Sequence, residues 1–302
     1  MSLPYVPVGI PVYKTIEHNG ANFNTVIWSH QGAFNGKRIL FVHGFGERVE
    51  VYSQFFDRLT SFGFDVFAFD QRGFGKTGEE WSARGFTNNY HTFDDLEFFI
   101  TLNLNELAKE DKLCLVGHSM GGGIVLEYAS VGKQKDKLYK IACTGPEILL
   151  SPEIKPNLLL EWTVRGLAQL PYLKKTKFYP KIKFELVTHD VGYQDYLKAD
   201  ELMAPVGTLV MLRDMVLRGR GLLTEENMTK LRGDLPLLIV QGEEDKLSLA
   251  AGAVQYCKEA NRVKGNDLRS VILIPGCYHS CLIESPEYYD KAEAAIVNFL
   301  SS

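Results

Sequence analysis

The sequence of 302 residues predicts an α/β protein with a mostly parallel sheet and helices on both of its faces. Short β-rich apolar runs alternate with helical periodicities, which is typical of this architecture. The alternation stops between residues 151 and 234, where helical, Pro-punctuated and basic segments follow one another. We therefore expect a core formed by residues 1–150 and 235–302 and an inserted helical cap formed by residues 151–234.

The individual elements follow from the spacing of apolar residues. Apolar side chains recur at steps of three or four from Phe93 to Leu107 and from Tyr289 to Phe299, so each stretch predicts a helix with one apolar face. Short apolar runs predict buried strands at residues 38–42, 65–69, 112–116, 138–143, 237–240 and 270–274.

Composition excludes several classes of protein. The chain is 45% hydrophobic and 23% charged, as in ordinary globular proteins. Its net charge of −4 argues against a protein that binds nucleic acid, because such proteins usually carry an excess of basic residues. No apolar run approaches the roughly 20 residues of a transmembrane helix, and prolines interrupt the N-terminal stretch where a signal peptide would be apolar. Five cysteines, an odd number, predict free thiols, and we expect a cytoplasmic protein.

A serine stands in the turn that is predicted between a strand and a helix. Gly117-His118-Ser119-Met120-Gly121 follows the apolar run at 112–116 and precedes a helical segment. G-x-S-x-G in this position forms a sharp turn that lifts the serine hydroxyl above the sheet. A glycine-rich turn with an idle serine is the alternative, but the flanking strand and helix favour a nucleophile at Ser119.

A serine nucleophile needs a base and a group that orients the base. His279 follows the predicted strand at 270–274 and lies where α/β sites form, at the carboxyl end of a strand. Asp245 ends an acidic turn after the strand at 237–240, in which Glu243 and Glu244 are the alternative orienting acids and a solvated loop is the structural alternative. The order serine, acid, histidine is that of one class of serine hydrolases.

Backbone N–H groups must stabilise the oxyanion that forms when an ester is attacked. Met120 supplies one by its position after the nucleophile, and the loop His43-Gly-Phe-Gly-Glu47 after an early strand supplies the other, which we assign to Phe45. Glu47 is either a buried anchor of this loop or a polar contact for the substrate.

Three other motifs do not indicate the binding sites that they resemble. Residues 73–78 read G-x-G-x-x-G, but glycine and asparagine interrupt the helix that a dinucleotide site requires. The Gly-Lys-Thr within them mimics a P-loop, but Asp70 occupies the position of its first glycine. Cys277, His279 and Cys281 lack a second ligand cluster for a tetrahedral metal site. We expect no cofactor and no metal.

Taken together, these motifs resemble the monoacylglycerol lipases of the α/β-hydrolase superfamily, especially their microbial and fungal members. The resemblance implies an eight-stranded sheet with a helical cap, a catalytic triad of Ser119, Asp245 and His279, and oxyanion donors at Phe45 and Met120. It also implies no cofactor. It covers nearly the whole chain and is carried by residues 43–47, 69–75, 90–96, 117–122, 242–245 and 276–279.

The same resemblance implies a substrate and a point of difference. Glu47 falls on an acid that lines the glycerol end of the pocket in animal members, so we expect it to contact substrate. Val51 and Leu282 replace a basic residue and a second histidine of those members, so recognition of the head group must differ. We expect hydrolysis of long-chain monoacylglycerols, with an esterase or peptidase for other small acyl substrates, or a non-catalytic ligand sensor, as alternatives.

The cap is expected to touch membranes or lipid droplets. Residues 156–173 carry more apolar side chains than one helix face needs, Leu159 and Trp162 among them, and basic residues follow. Apolar anchors beside basic residues suit an anionic lipid surface. Packing of the same residues onto the core is the alternative. The basic residues are Lys174, Lys175, Lys177, Lys181 and Lys183.

Overall fold

An eight-stranded sheet lies at the centre of the protein, whose computed structural model describes residues 2–152 and 173–302. A separate pair of two-residue strands, β7 and β8, lies in the cap. The described strands are β1 Val12–His18, β2 Ala21–Trp28, β3 Lys37–Val42, β4 Asp65–Phe69, β5 Lys112–His118, β6 Leu138–Thr144, β7 Lys177–Phe178, β8 Gly207–Thr208, β9 Leu237–Gly242 and β10 Arg269–Ile274.

The order of the main sheet is β1-β2-β4-β3-β5-β6-β9-β10. From β4 to β10 all neighbours pair in parallel, whereas β2 is antiparallel to both β1 and β4. Each of the six predicted strands lies within an observed one, so the prediction of a mostly parallel sheet is confirmed. The parallel strands all present their carboxyl ends at one edge of the sheet, where α/β proteins bind their ligands.

Helices cover both faces of the sheet, as predicted. Ile39 and Phe41 of β3 face one apolar cluster, and Leu40 and Val42 face the other, because successive strand residues point to opposite sides. The first cluster includes α1 and α8, and the second includes α2, α3 and α7. The described helices are α1 Ser53–Ser61, α2 Asn89–Glu106, α3 Met120–Val131, α4 Val191–Ala199, α5 Leu209–Leu222, α6 Glu225–Lys230, α7 Ala250–Lys264 and α8 Pro286–Ser301.

The N-terminal hairpin is the main element that the strand assignment omitted. Strands β1 and β2 are joined by Asn19 and Gly20, whose φ angles are 45° and 72°. A two-residue Asn-Gly loop with both residues at positive φ suits the twist of a hairpin. The Asn-Gly dipeptide is the sequence feature that indicates this hairpin. The strand itself was not predicted, because β1 lies at the sheet edge with mostly exposed side chains and has no continuous apolar run.

The described part of residues 151–234 beyond residue 173 contributes α4, α5 and the β7–β8 pair. Residues 151–234 show no apolar run typical of a buried strand, but Lys177 and Phe178 pair with Thr208 and Gly207 in two short strands. Strands this short carry no pattern that a sequence reading can detect. Leu159 and Trp162 lie outside the described residues. Within the described ranges, no helix combines the length and apolarity needed to cross a bilayer.

Candidate active site

Ser119 occupies a strained turn between β5 and α3. Its backbone has φ 53° and ψ −119°, a conformation that costs a residue with a side chain about 1–3 kcal/mol. Three hydrogen bonds hold it there. Its N–H donates to the carbonyl of Thr144 at 2.9 Å, and its carbonyl accepts from the N–H groups of Gly123 at 3.0 Å and Glu147 at 2.9 Å. The backbone around the serine is therefore fixed from both sides.

The glycine two residues after the serine allows the helix to approach the sheet. A Cβ atom on Gly121 would lie 2.1 Å from the carbonyl oxygen of Val42 and 2.4 Å from that of His43. Both are backbone atoms that cannot move aside easily. Only glycine permits this contact between the start of α3 and the end of β3, which is the physical reason for the last glycine of the G-x-S-x-G motif.

Ser119, His279 and Asp245 form a continuous hydrogen-bonded chain. The Ser119 hydroxyl donates to Nε2 of His279 at 2.8 Å, and Nδ1–H of His279 donates to Oδ2 of Asp245 at 2.7 Å. The structure thus brings the three predicted residues together, although they come from three different strand ends. Glu243 and Glu244, the alternative orienting acids, are exposed, whereas Asp245 is buried.

The Asp245 carboxylate is itself held in place. Its Oδ1 accepts hydrogen bonds from the N–H groups of Leu247 at 2.8 Å and Ser248 at 2.9 Å. Its Oδ2 accepts from the side-chain amide of Gln241 at 2.8 Å, in addition to His279. Sequence analysis missed Gln241, which stands on β9 four residues before the acid. Four donors therefore hold the carboxylate in one orientation.

The environment of His279 makes its imidazole more basic. Burial lowers the pKa, but the charge and hydrogen bond of Asp245 and the charge of Glu47 raise it by more, so the pKa lies above its ordinary 6.5. An imidazole with this environment accepts a proton from Ser119 readily. The result is a base whose orientation and affinity for protons are set by the same carboxylate.

His118 lies beside the triad but stays neutral. Its ring centroid is 5.0 Å from that of His279. Nδ1–H donates to the carbonyl of Thr144 at 3.0 Å, and Nε2 accepts from the hydroxyl of Ser280 at 3.0 Å. Burial and the neighbouring His279 charge hold its pKa well below 6.5. No second positive charge therefore competes with His279 when that residue takes up a proton.

The two predicted oxyanion donors border the serine. Met120 is the first residue of α3, where backbone N–H groups have no partner within the helix. Phe45 lies in the loop after β3. The His43 side chain holds this loop in place, because its Nδ1–H donates to the carbonyl of Gly44 and its Nε2 accepts from the N–H of Gln71, both at 2.8 Å. Burial lowers the pKa of His43 to about 4, so it remains neutral.

Glu47 anchors its loop and also lies in the wall of the cavity. Its Oε2 accepts hydrogen bonds from the Gly44 N–H at 2.6 Å and from the Tyr52 hydroxyl at 2.5 Å, which anchors the loop. It also lines the cavity above Ser119. Burial raises its pKa to about 6 despite these two hydrogen bonds. Glu47 is thus a loop anchor whose remaining surface faces the site.

A cavity of about 430 Å³ is lined by Ser119 and His279 and by side chains of residues 178–217. This volume lies within the range of small-ligand pockets, roughly 300–1,000 Å³. The apolar side chains that residues 178–217 contribute to its lining are Phe178, Pro180, Ile182, Phe184, Val187, Leu197, Met203, Pro205, Leu209, Leu212, Met215, Val216 and Leu217. The sequence indicated a cap but not these individual contacts.

Two groups of residues have positions that bear on the sequence predictions. Cys277 and Cys281 approach each other to 3.4 Å between their sulfur atoms, and both nitrogens of His279 are engaged within the triad, so the three do not form a ligand set. Val51 and Leu282 are fully buried in the apolar core.

Comparison with known proteins agrees with this geometry. The family model for serine aminopeptidase, S33, matches residues 35–286. The monoglyceride lipase of Saccharomyces cerevisiae is 33% identical over 288 residues, which cover 92% of this chain and 89% of that protein. The chain belongs to the monoglyceride lipase family. The putative monoglyceride lipase of Schizosaccharomyces pombe is 32% identical over 265 residues, which cover 86% of this chain and 67% of that protein.

The solved structures support the same family. A soluble variant of the Saccharomyces cerevisiae monoglyceride lipase, in complex with a substrate analog, superposes with a TM-score of 0.91. The two chains are 29% identical, and the match covers 99% of this chain and 98% of the other. The predicted α/β-hydrolase fold and the predicted family are confirmed. As a monoglyceride lipase family member, the protein is a carboxylic ester hydrolase.

Proposed function

We propose that the protein hydrolyses long-chain monoacylglycerols to glycerol and free fatty acid. The observation that carries this proposal is the apolar cavity that starts at Ser119 and His279 and continues under the cap. A hydrocarbon chain gains free energy when it leaves water for such a surface, while the ester at its end lies against the serine. The family membership supports the same substrate.

In the first step, Ser119 acts as the nucleophile. Its hydroxyl oxygen attacks the ester carbonyl while Nε2 of His279 removes the proton, a transfer favoured by their distance of 2.8 Å. The carbonyl oxygen becomes an oxyanion, for which we propose the N–H groups of Phe45 and Met120 as donors. Asp245 stabilises the imidazolium that forms and fixes its tautomer.

In the second half, His279 returns the proton to the glycerol oxygen as the carbon–oxygen bond breaks, which leaves the acyl group on Ser119. Water then takes the place of glycerol. His279 removes a proton from that water, and its oxygen attacks the acyl carbon. When the second tetrahedral intermediate breaks down, the bond between the acyl carbon and the Ser119 oxygen is cleaved, His279 returns its proton to that oxygen, and the fatty acid is freed. We propose that Glu47 contacts the glycerol hydroxyls, since it lines the cavity.

We further propose that residues 151–234 form the cap and that residues 1–150 and 235–302 form the core, as the sequence indicates. This division is supported by the lining of the cavity. The core supplies the reacting groups, whereas the apolar contacts come mainly from residues 178–217. Chemistry and chain recognition would then reside in separate parts of the fold.

A substrate comparison tests the function. Purified protein is assayed with dodecanoylglycerol and with a leucine anilide, because the matching family model bears the name of an aminopeptidase. We expect the glycerol ester to be preferred by at least about a hundredfold, since the lining is mainly apolar and suits a hydrocarbon chain better than a charged amino group. Ser119→Ala provides the background rate. A faster reaction with the anilide would favour a peptidase, and binding without turnover of either would favour a ligand sensor.

We also propose that the cap region contacts lipid surfaces at the mouth of the cavity. Trp81 and Tyr179 are more than half exposed, at 59% and 54%, and their rings stack at 6.2 Å. The Lys177 ammonium lies 4.2 Å from the centre of the Trp81 ring. Phe178 lines the cavity directly beside them. We call Trp81, Lys177 and Tyr179 the mouth patch; aromatic rings beside lysines suit an anionic interface.

Vesicle binding tests this contact without relying on Leu159 and Trp162. A variant with Trp81→Ser and Tyr179→Ser is expected to bind phosphatidylglycerol vesicles several-fold more weakly, while its turnover of a small water-soluble ester stays unchanged. Phe62→Ser is the matched control, because Phe62 is also exposed, at 44%, but lies between α1 and β4, away from the site. Equal binding by all three proteins would contradict the proposal. A cytoplasmic location with such peripheral contact is consistent with five free cysteines.

A further inference from the structure

One acidic side chain in the wall of the cavity has no role in the proposed hydrolysis. Glu147 follows β6 and lines the cavity, and only 3% of its surface is exposed. Its Oε2 is buried without a hydrogen-bond partner. Among the described residues no hydrogen bond reaches either oxygen of this carboxyl group. A buried polar group in this condition costs about 1–3 kcal/mol, so its presence in an apolar cavity calls for a reason.

The nearby Arg218 does not explain why this carboxyl group is present. Arg218 is buried beside Glu147, but its guanidinium donates to Glu127 at 3.2 Å and to Asn89 at 3.1 Å. The other charged groups of the cavity wall are also accounted for. Glu47 anchors its loop, Arg213 binds the carboxylate of Asp214 at 2.6 Å, and Lys181 is exposed to solvent. Glu147 thus differs from each of them.

Burial also decides which chemical form Glu147 presents. It raises the pKa of this carboxyl to about 8, although the charge of Arg218 acts in the opposite direction. Near pH 7 the group therefore carries its proton. A neutral carboxylic acid has one hydroxyl donor as well as acceptor oxygens. It can serve either a hydroxyl or a carbonyl group of a ligand.

The position of Glu147 indicates which part of the substrate it meets. Its carboxyl lies against α5, where a Cβ atom placed on Gly219 would be 3.1 Å from Oε1. The same helix contributes Leu212, Met215 and Val216 to the apolar wall. This is the side on which the hydrocarbon chain would lie under the proposed function. The backbone N–H of Glu147 donates to the carbonyl of Ser119, so this residue lies next to the nucleophile in the fold.

We propose that Glu147 is a specificity-determining residue that hydrogen-bonds an oxygen substituent on the acyl chain. The enzyme accordingly prefers monoacylglycerols whose acyl chain carries a hydroxyl group over those with an unsubstituted chain. An unsubstituted chain buries the carboxyl against methylene groups and leaves it without a partner. A chain with a hydroxyl at the matching carbon provides that partner. This inference rests on the proposed hydrolysis of monoacylglycerols and narrows its substrate class.

A substrate series in which one hydroxyl is moved along a dodecanoyl chain tests the inference. The unsubstituted dodecanoylglycerol is the reference, and the chain position is varied from the second carbon to the tenth. We expect kcat/KM for the best hydroxylated member to exceed the reference by about tenfold or more, as for other buried hydrogen bonds. Glu147→Gln retains this preference, because its amide offers both a donor and an acceptor. Glu147→Leu abolishes or inverts it.

Controls separate this role from a structural one. Glu127→Gln alters the same arginine cluster without reaching the cavity, so it is expected to leave the ratio of rates unchanged. Glu147→Ala is assayed if the leucine variant does not fold. Equal turnover of all members by the wild-type protein, or an unchanged ratio in Glu147→Leu, would overturn the inference alone. A wild-type protein that cleaves no acylglycerol but cleaves other esters would instead refute the proposed function and this inference with it.

Discussion

The buried carboxyl of Glu147 makes the stability of the protein depend on pH in a defined way. Its pKa is about 8 in the folded protein and about 4.5 in an exposed glutamate. Between these values the unfolded chain loses the proton while the folded chain keeps it, so the free energy of unfolding falls as pH rises. Below pH 4.5 both states are protonated, and above pH 8 both are ionised. The loss is therefore confined to this window.

Glu147→Gln removes this dependence because an amide does not titrate. One pKa unit corresponds to about 1.4 kcal/mol, so the shift corresponds to roughly 5 kcal/mol. We expect the glutamine variant to be about as stable as wild type near pH 5 and several kcal/mol more stable near pH 9. Urea unfolding followed by tryptophan fluorescence at both pH values gives the difference, in which the titration of all shared groups cancels. The same difference at both values, within about 1 kcal/mol, would refute the buried, neutral carboxyl.

Three further predictions concern the triad. Ser119→Ala is expected to lower kcat by up to about a millionfold, as in other triads, with an unchanged melting temperature; a folded variant with near wild-type kcat would exclude Ser119 as nucleophile. Asp245→Asn is expected to lower kcat by about ten-thousandfold, because His279 loses its correct tautomer. Glu243→Gln and Glu244→Gln change exposed side chains and are expected to alter kcat little. Similar losses in all three variants would contradict the assignment of Asp245 as the orienting acid. Activity is expected to fall as pH drops through the pKa of His279, which lies above 6.5 because the charge of Asp245 outweighs the effect of burial. A pH–rate profile whose midpoint lies clearly below 6.5, or one that shows no fall, would argue against His279 as the base.

The parts of the fold that could be predicted are those whose pattern is local. The central strands are buried on both faces and therefore read as continuous apolar runs, as in residues 112–116. Strand β1 is exposed at the sheet edge and has no such run. The two-residue strands of the cap depend on pairing between residues 177–178 and 207–208, which no local pattern records.

The candidate site divides in the same way. Ser119, Asp245 and His279 each follow a predicted strand, so their meeting at one edge of the sheet could be inferred. Glu147 also follows a strand, but its significance depends on burial by α5, a helix far along the chain. The ambiguity over Glu47 had a physical cause as well, since a single carboxylate both closes its loop through Gly44 and faces the cavity.

The strained turn at Ser119 has a consequence for how sequences on this fold can vary. Glycine adopts a positive φ about as readily as a negative one, so a chain selected for stability alone would carry glycine at this position. Serine at this position carries a conformational cost that glycine would not, and it keeps the hydroxyl on which the proposed reaction depends. Stability and turnover therefore favour different residues at position 119.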